Sequence, residues 1–473
     1  MKYKFYILIS CLMAGLSSCN DWLDLQPQTE MNLKDMYASQ QGFQEVLTGV
    51  YLDLKSNSVY GRELMFGTVE YLAQHWDYAA ESPQEKISRY NYIDESVQSY
   101  FSDIYAQLYK SISSANMLLE HIEGQESIFE QGMYNIIKGE ALAIRAYCHL
   151  DLLRLFGPMP ENPGNSVVLP YVRTVSIQYH PHHTYNEYTG FLEEDILAAE
   201  NLMKPYDPVR AENTILVILY IQAADFLKAR QLRFNYYAIK ALEARFYLWM
   251  GGEENKTKAC ACAKEVIDAT DSEKYSIFWL GSSEDITKED FSFSCEHIMA
   301  IYDYKLYDKA KSNFTTSAYY ARKKNIVVPQ LYEAGTTDIR LSLWKEYKKE
   351  DMSSVYTITK FLQKDENSTL NQLPLLRLSE MYLIAMECGT LAEANELYRE
   401  YCLSRDIPLV TLQDEYQLRN ILIEQYNKEF YGEGQAFYAY KRLAVTDILW
   451  AVDPGDTQAY VIPLPTKEIN HIK

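Results

Sequence analysis

Between Ile137 and Leu155 the apolar side chains recur at spacings of four and three: Ile137, Ala141, Ile144, Cys148, Leu152 and Leu155. A period near 3.6 puts them all on one helix face. Gly157-Pro158 ends the run, because proline lacks the amide donor that would continue it. Elsewhere the pattern repeats. Asn235 to Met250 interleaves Ala238, Ala241 and Ala244 with Leu242, Phe246 and Trp249, and Gly251-Gly252 closes it. Lys256 to Ala269 turns Ala259, Ala263, Val266 and Ile267 inward. Leu375 to Cys388 and Leu391 to Ser404 read as a pair turning at Gly389, and Tyr416 to Phe430 continues in the same style. Helix pairs with small residues at the crossings are the habit of tetratricopeptide-type repeats, yet no clean period of ~34 residues survives. The expected fold is therefore all-α dominated, built of irregular tetratricopeptide-like helical hairpins.

Two stretches break the pattern. Residues 157 to 185 are rich in Pro, Gly, His and Tyr and read as loop. Residues 270 to about 372 mix β-like runs (His297 to Tyr302, Ile326 to Val328, Val355 to Phe361) with long polar connections. This is a loop-rich, partly β insertion, and function tends to sit on such excursions from a rigid scaffold.

The N-terminus carries an address. Lys2 and Lys4 precede an apolar stretch from Phe5 to Leu16, which is shorter than the ~20 residues a membrane-spanning helix needs. Ser17-Ser18-Cys19 follows, small residues ahead of a thiol that diacylglycerol can alkylate. Residues 1–18 read as a lipoprotein signal peptide, Cys19 as the lipidation site, and 19–30 as a lipidated tether with Trp22, Leu23 and Leu25 as anchors. No other apolar run approaches a membrane span.

A formal charge of −20 opposes nucleic acid, whose binding depends on Lys and Arg neutralising phosphates. It equally opposes a basic patch on anionic lipid. Of the 8 cysteines, Cys11 leaves with the signal and Cys19 takes lipid. Cys260 and Cys262 point apart on a helix, and Cys148, Cys388 and Cys402 suit apolar helix faces; at most one or two disulfides are expected, with the pairing open. The 41 tyrosines are the unusual count. Tyr offers an apolar face and a polar tip, suited to wet cores and to interfaces.

Catalytic signatures are missing. H-E-x-x-H, G-x-S-x-G, G-x-x-x-x-G-K and G-x-G-x-x-G do not occur. His180-Pro181-His182-His183 has no rigid ligand spacing, so no metal and no cofactor is expected. Glu193-Glu194-Asp195 reads as the opening of a helix, where carboxylates meet the positive end of the dipole. Binding remains. Trp76, Tyr78, Trp279, Tyr302, Tyr304 and Tyr319 lie where the core period is weak, and aromatic faces there can pack on sugar rings or peptide side chains. A surface-anchored hydrolase and a structural repeat adaptor without a small ligand stay open as alternatives.

Four segments, in order, resemble the SusD/RagB family of outer-membrane nutrient-binding lipoproteins of Bacteroidetes. They are Cys19-Asn20-Asp21-Trp22-Leu23-Asp24-Leu25-Gln26-Pro27; Gly139-Glu140-Ala141 through Arg145-Ala146 to Asp151-Leu152-Leu153-Arg154-Leu155-Phe156-Gly157; Ala241-Leu242-Glu243-Ala244-Arg245-Phe246-Tyr247-Leu248; and Arg377-Leu378-Ser379-Glu380-Met381-Tyr382-Leu383. The closing Ile462-Pro463-Leu464-Pro465 also fits. The family's E-G-x-R-x-x-D-x-x-R element departs here, with Ala436 and Ala439 at its first Arg and its Asp. The resemblance implies a SusD-like domain over 31–473, its scaffold about 31–269 and 373–473 and its variable ligand-binding region about 270–372. It also implies a non-enzymatic, lipid-anchored protein at the cell outer membrane, facing the surface. Its partners would be a SusC-like TonB-dependent transporter and an oligosaccharide or peptide ligand.

Overall fold

The computed structural model describes residues 36–213, 224–316, 320–322, 327–333, 335–348, 354–363, 370–451 and 457–472. Cys19, its tether and Tyr319 lie outside the described residues. The longer helices are α1 (Gln40–Leu54), α2 (Glu95–Ile122), α3 (Met133–Phe156), α4 (Tyr185–Met203), α5 (Tyr236–Met250), α6 (Gly252–Ile267), α7 (Leu378–Cys388), α8 (Leu391–Arg405) and α9 (Glu415–Glu429). Short α10 (Ala436–Arg442) and α11 (Thr466–Ile472) follow. Side chains mark where many of them start. Asp94 caps α2 and Asn235 caps α5, while Thr184 with Glu187 and Thr390 with Glu393 close reciprocal capping boxes on α4 and α8. Successive helices pack as hairpins: α1 on α2, α2 on α3, α3 on α4, α5 on α6, α6 on α7 and α7 on α8.

Helix α3 is buried on nearly every side, so its polar residues must find partners inside. They do, and the family-like motif residues are the ones that reach across. Glu140 accepts from Tyr51 (2.8 Å) and pairs with Arg230 (2.5 Å). Arg145 makes a bidentate pair with Asp195 on α4 at 2.7 and 2.6 Å. Asp151 accepts from Tyr60 at 2.7 Å and binds Arg154. On α5, Arg245 grips Glu380 of α7 at 2.7 and 2.6 Å. Gly139 is required by closeness: a Cβ there would lie 2.6 Å from Met203 Cγ on α4. Gly139→Ala is expected to force α3 and α4 apart and cost ~1–3 kcal/mol in urea denaturation.

The irregular region carries short antiparallel pairs. Strand β1 (Val167–Leu169) meets β2 (His183–Thr184), β3 (His297–Tyr302) meets β6 (Gln372–Arg377), and β4 (Trp344–Lys348) meets β5 (Ser354–Ile358). Several expectations change. Residues 375–377 are strand, not helix, because β6 is buried between β3 and the scaffold and its backbone donors are used by that pairing. The run expected as a strand at Ile326 to Val328 is a wide helical turn over Val327–Leu331, with Ile326 outside the described residues. Glu193-Glu194-Asp195 lies in mid-α4, the helix having already begun at its Thr184 cap; Asp195 is buried there to hold Arg145. Cys148, Cys260, Cys262, Cys295, Cys388 and Cys402 are all free thiols.

Where insertion meets scaffold, charge is buried on a large scale. Glu429, at the end of α9, accepts from Arg405 (2.9 and 2.9 Å), Arg377 (2.8 Å), Arg340 (3.1 Å) and Tyr401 (2.7 Å). Glu296 pairs with Arg405 at 2.6 Å, Asp338 with Arg340 at 2.7 Å, and Lys360 with Glu433 at 2.6 Å. Four cations and four carboxylates balance. No helix among the described residues is long and apolar enough to cross a membrane.

Candidate functional site

Directly after Glu429 the chain runs Phe430-Tyr431-Gly432 and meets the segment from Glu70 to Tyr78. Glu70 accepts the backbone amides of Gly432 (2.7 Å) and Gly434 (2.8 Å) and bonds His75 Nδ1 at 2.6 Å. His75 Nε2 reaches Asn427 Oδ1 at 2.6 Å, and its ring stacks on Tyr431 with centroids 4.1 Å apart. Burial pushes the Tyr431 phenol far above its usual range, so it stays a donor, to the His75 carbonyl. Gly434 sits at φ +73 against the Leu64 carbonyl, a conformation and closeness that only glycine tolerates. This stack is a rigid floor.

On that floor lies a clasp of three residues from separate parts of the chain. The Asp77 amide donates to the Ala321 carbonyl (2.9 Å), which lines up the Asp77 carboxylate with Arg322 Nη1, also at 2.9 Å. Arg322 Nε and Nη2 donate to the His75 and Gln74 carbonyls. With all three nitrogens engaged along its edge, the buried guanidinium offers a face, and the Trp450 ring lies 4.3 Å from it. Trp450 Nε1 donates to Gln330 Oε1 at 2.5 Å. The Trp450 backbone is at φ +70, uncommon for a bulky residue and held by this surrounding structure. The indole is thus fixed on one face and at one edge, yet half-buried.

Gln330 also lines an adjoining cleft of about 280 Å³ with Glu333, Asn420, Glu424, Lys428 and Asp447. A fixed aromatic face beside amide, carboxylate and ammonium groups can stack on an apolar ring face while bonding its polar substituents. Among the described residues no group of three or more His, Cys, Asp or Glu is placed to hold a metal ion.

The aromatic residues singled out from sequence divide. Trp76 is 0% exposed, packed edge-on against Tyr431 at 5.0 Å, its Nε1 donating to the Phe66 carbonyl at 2.9 Å. It is core, with no face left for a ligand, and that expectation is corrected. Tyr78 is half-buried and follows Asp77 at the clasp. Trp279 (55% exposed) sits beside the N-terminal end of β3, where its amide meets the Cys295 carbonyl. Tyr302 and Tyr304 (63% exposed) lie at the opposite end, five strand steps or ~17 Å from His297. Lys55 and Lys305 each stand 5.4 Å from the Tyr304 ring. These rings therefore do not converge on one surface. Sequence reasoning missed Asp77, Arg322, Gln330 and Trp450. The available signal was a tryptophan outside any helical period, in the stretch Trp450-Ala451-Val452-Asp453-Pro454-Gly455.

Comparison with known proteins places these features. The family described as "SusD-like_3: Starch-binding associating with outer membrane" matches residues 21–217. The SusD-like protein P25 of Formosa agariphila is 28% identical over 166 residues, 34% of this chain. The match spans 31% of the length of that curated relative. Among solved structures, a SusD superfamily protein of Bacteroides thetaiotaomicron aligns with a TM-score of 0.71 at 21% identity, over 92% of this chain and 98% of its own. The surface glycan-binding protein A of Bacteroides uniformis aligns at 0.68 and 15% identity, over 92% and 98%. A SusD-like carbohydrate binding protein of Bacteroides vulgatus aligns at 0.64 and 17%, over 85% and 83%. At these identities the structures establish the fold, over most of this chain. Over residues 21–217 the sequence is similar to the SusD-like family, and the fold is that of SusD superfamily structures.

Proposed function

We propose that the chain is a cell-surface nutrient-binding lipoprotein that captures an oligosaccharide at the Trp450 clasp and passes it to a SusC-like TonB-dependent transporter of the outer membrane. The observation that carries the reading is the half-buried indole, pinned over Arg322 at the lip of a polar cleft. A sugar ring has an apolar C–H face and a polar rim, and this arrangement complements both. The starch-binding family matched over residues 21–217 and the glycan-binding and carbohydrate-binding proteins of the same fold support the same ligand class. Residues 270–372 act in this reading as the variable part that selects the ligand, and 31–269 with 373–473 as the scaffold that presents it. Chemistry on the ligand is left to other proteins, and no cofactor takes part.

Calorimetry against a panel of glycans and peptides, followed by product analysis, tests this. A glycan bound and recovered intact is the expected result; turnover to cleaved products would establish the hydrolase alternative instead. The anchor is proposed on Cys19, and the tether over 19–30 lets the domain move over its transporter. Cys19→Ala is expected to give a released, folded protein with unchanged glycan affinity, read by fractionation and titration.

A further inference from the structure

Far from the clasp along the chain, a second concavity of about 520 Å³ opens on the scaffold. One wall is helix α2, which contributes Tyr105 and Tyr109. The opposite wall is the loop that follows β1, carrying Ile177 and Tyr179, and Glu468 of α11 closes one end. It shares no lining residue with the cleft beside Trp450.

Its chemistry is specific in three ways. Tyr105 is 8% exposed, and no hydrogen bond of ordinary geometry reaches its hydroxyl, which faces Tyr109 and Glu468 of the same lining. A buried hydroxyl so poorly served gains from turning to a ligand oxygen. Second, no Lys or Arg lines the cleft, which disfavours an anion, and Glu468 is committed to His182 Nε2 at 2.7 Å, which disfavours a cation. Third, Tyr179 is 52% exposed, its ring parallel to that of His182, and Ile177 is 100% exposed. Apolar surface is offered to solvent here on a loop that packed structure already holds by β1–β2 pairing.

We infer that this cleft is a second saccharide subsite, taking a neutral sugar of one or two rings between Tyr105, Tyr109 and Tyr179. The Tyr105 hydroxyl bonds a sugar hydroxyl, and Tyr179 lies against a ring face. The volume falls within the ~300–1,000 Å³ of small-ligand sites. The ligand class rests on the glycan reading of the protein, whereas the cleft and the geometry of its Tyr105 hydroxyl do not.

The test uses the full mature protein and three neutral disaccharides, maltose, cellobiose and lactose, read by saturation-transfer NMR and titration. At least one is expected to bind both wild type and Trp450→Ala, with its affinity reduced about tenfold by Tyr179→Ala and about fivefold by Tyr105→Phe. Tyr105→Phe removes one poorly bonded oxygen and keeps the ring, so its fold is retained, and circular dichroism confirms it. Binding lost with Trp450→Ala but untouched by both tyrosine changes would overturn the second subsite and leave the clasp intact. No transfer from any of the three disaccharides would also overturn it, while the longer glycans of the calorimetric panel judge the clasp separately.

Discussion

Glu429→Gln is expected to lower stability by ~3–5 kcal/mol in urea denaturation, the range for breaking a buried ion pair on one side. The carboxylate is almost wholly buried and serves Arg340, Arg377 and Arg405 at once. Removing its charge leaves three guanidinium groups close together with Glu296, Asp338 and Glu433 as their remaining anions. Burial alone would raise the Glu429 pKa, but Arg405, Arg377 and Arg340 outweigh it and hold the carboxyl well below its usual value. A group depressed in the folded state stabilises above its unfolded pKa, ~4.3 for Glu, and that contribution disappears as pH falls through the folded value. Wild type should therefore lose stability on acidification below that point, and Glu429→Gln should lose less. A variant as stable as wild type at neutral pH would show that the cluster contributes little. The consequence reaches the binding site, because Tyr431, two residues on, supports His75 beneath the clasp.

Trp450→Ala is expected to weaken glycan binding more than about tenfold, or ~1.4 kcal/mol and above, with stability nearly unchanged. The ring contributes a face that Arg322 and Gln330 have already fixed, so little side-chain freedom is lost when a ligand arrives. Arg322→Met should weaken binding about fivefold by a different route: Asp77 and two backbone carbonyls lose their donor, and the indole loses its backing. Trp279→Ala and Tyr304→Ala should leave affinity at the clasp alone. Titration of all four variants with one glycan checks the set.

The helical scaffold was legible because its signal is local. The period from Ile137 to Leu155 needs no knowledge of what packs against it, and the Gly, Glu, Arg and Asp of the family-like motif announce themselves by type. Their partners could not be read. Arg145 finds Asp195 and Arg245 finds Glu380 only after folding brings α4 and α7 alongside. The same limit explains β6, whose Leu375 and Leu376 lead into α7 across Arg377 with no Gly or Pro between residues 375 and 388; pairing with β3 decides that residues 372–377 extend. At the site the difficulty was sharper. Trp76 and Trp279 are equal in sequence, yet one is core and the other exposed, because burial depends on contacts hundreds of residues away. The clasp draws on positions 77, 322 and 450, with Gln330 holding the indole, so no spacing rule joins it.

A structure of the protein with the tightest-binding glycan of the panel decides whether Trp450 holds the ligand. A sugar ring is expected against the open face of Trp450, with hydroxyls bonded to Gln330 and to polar groups of the adjoining cleft. Glycan seated elsewhere, with the Trp450 face empty, would contradict it.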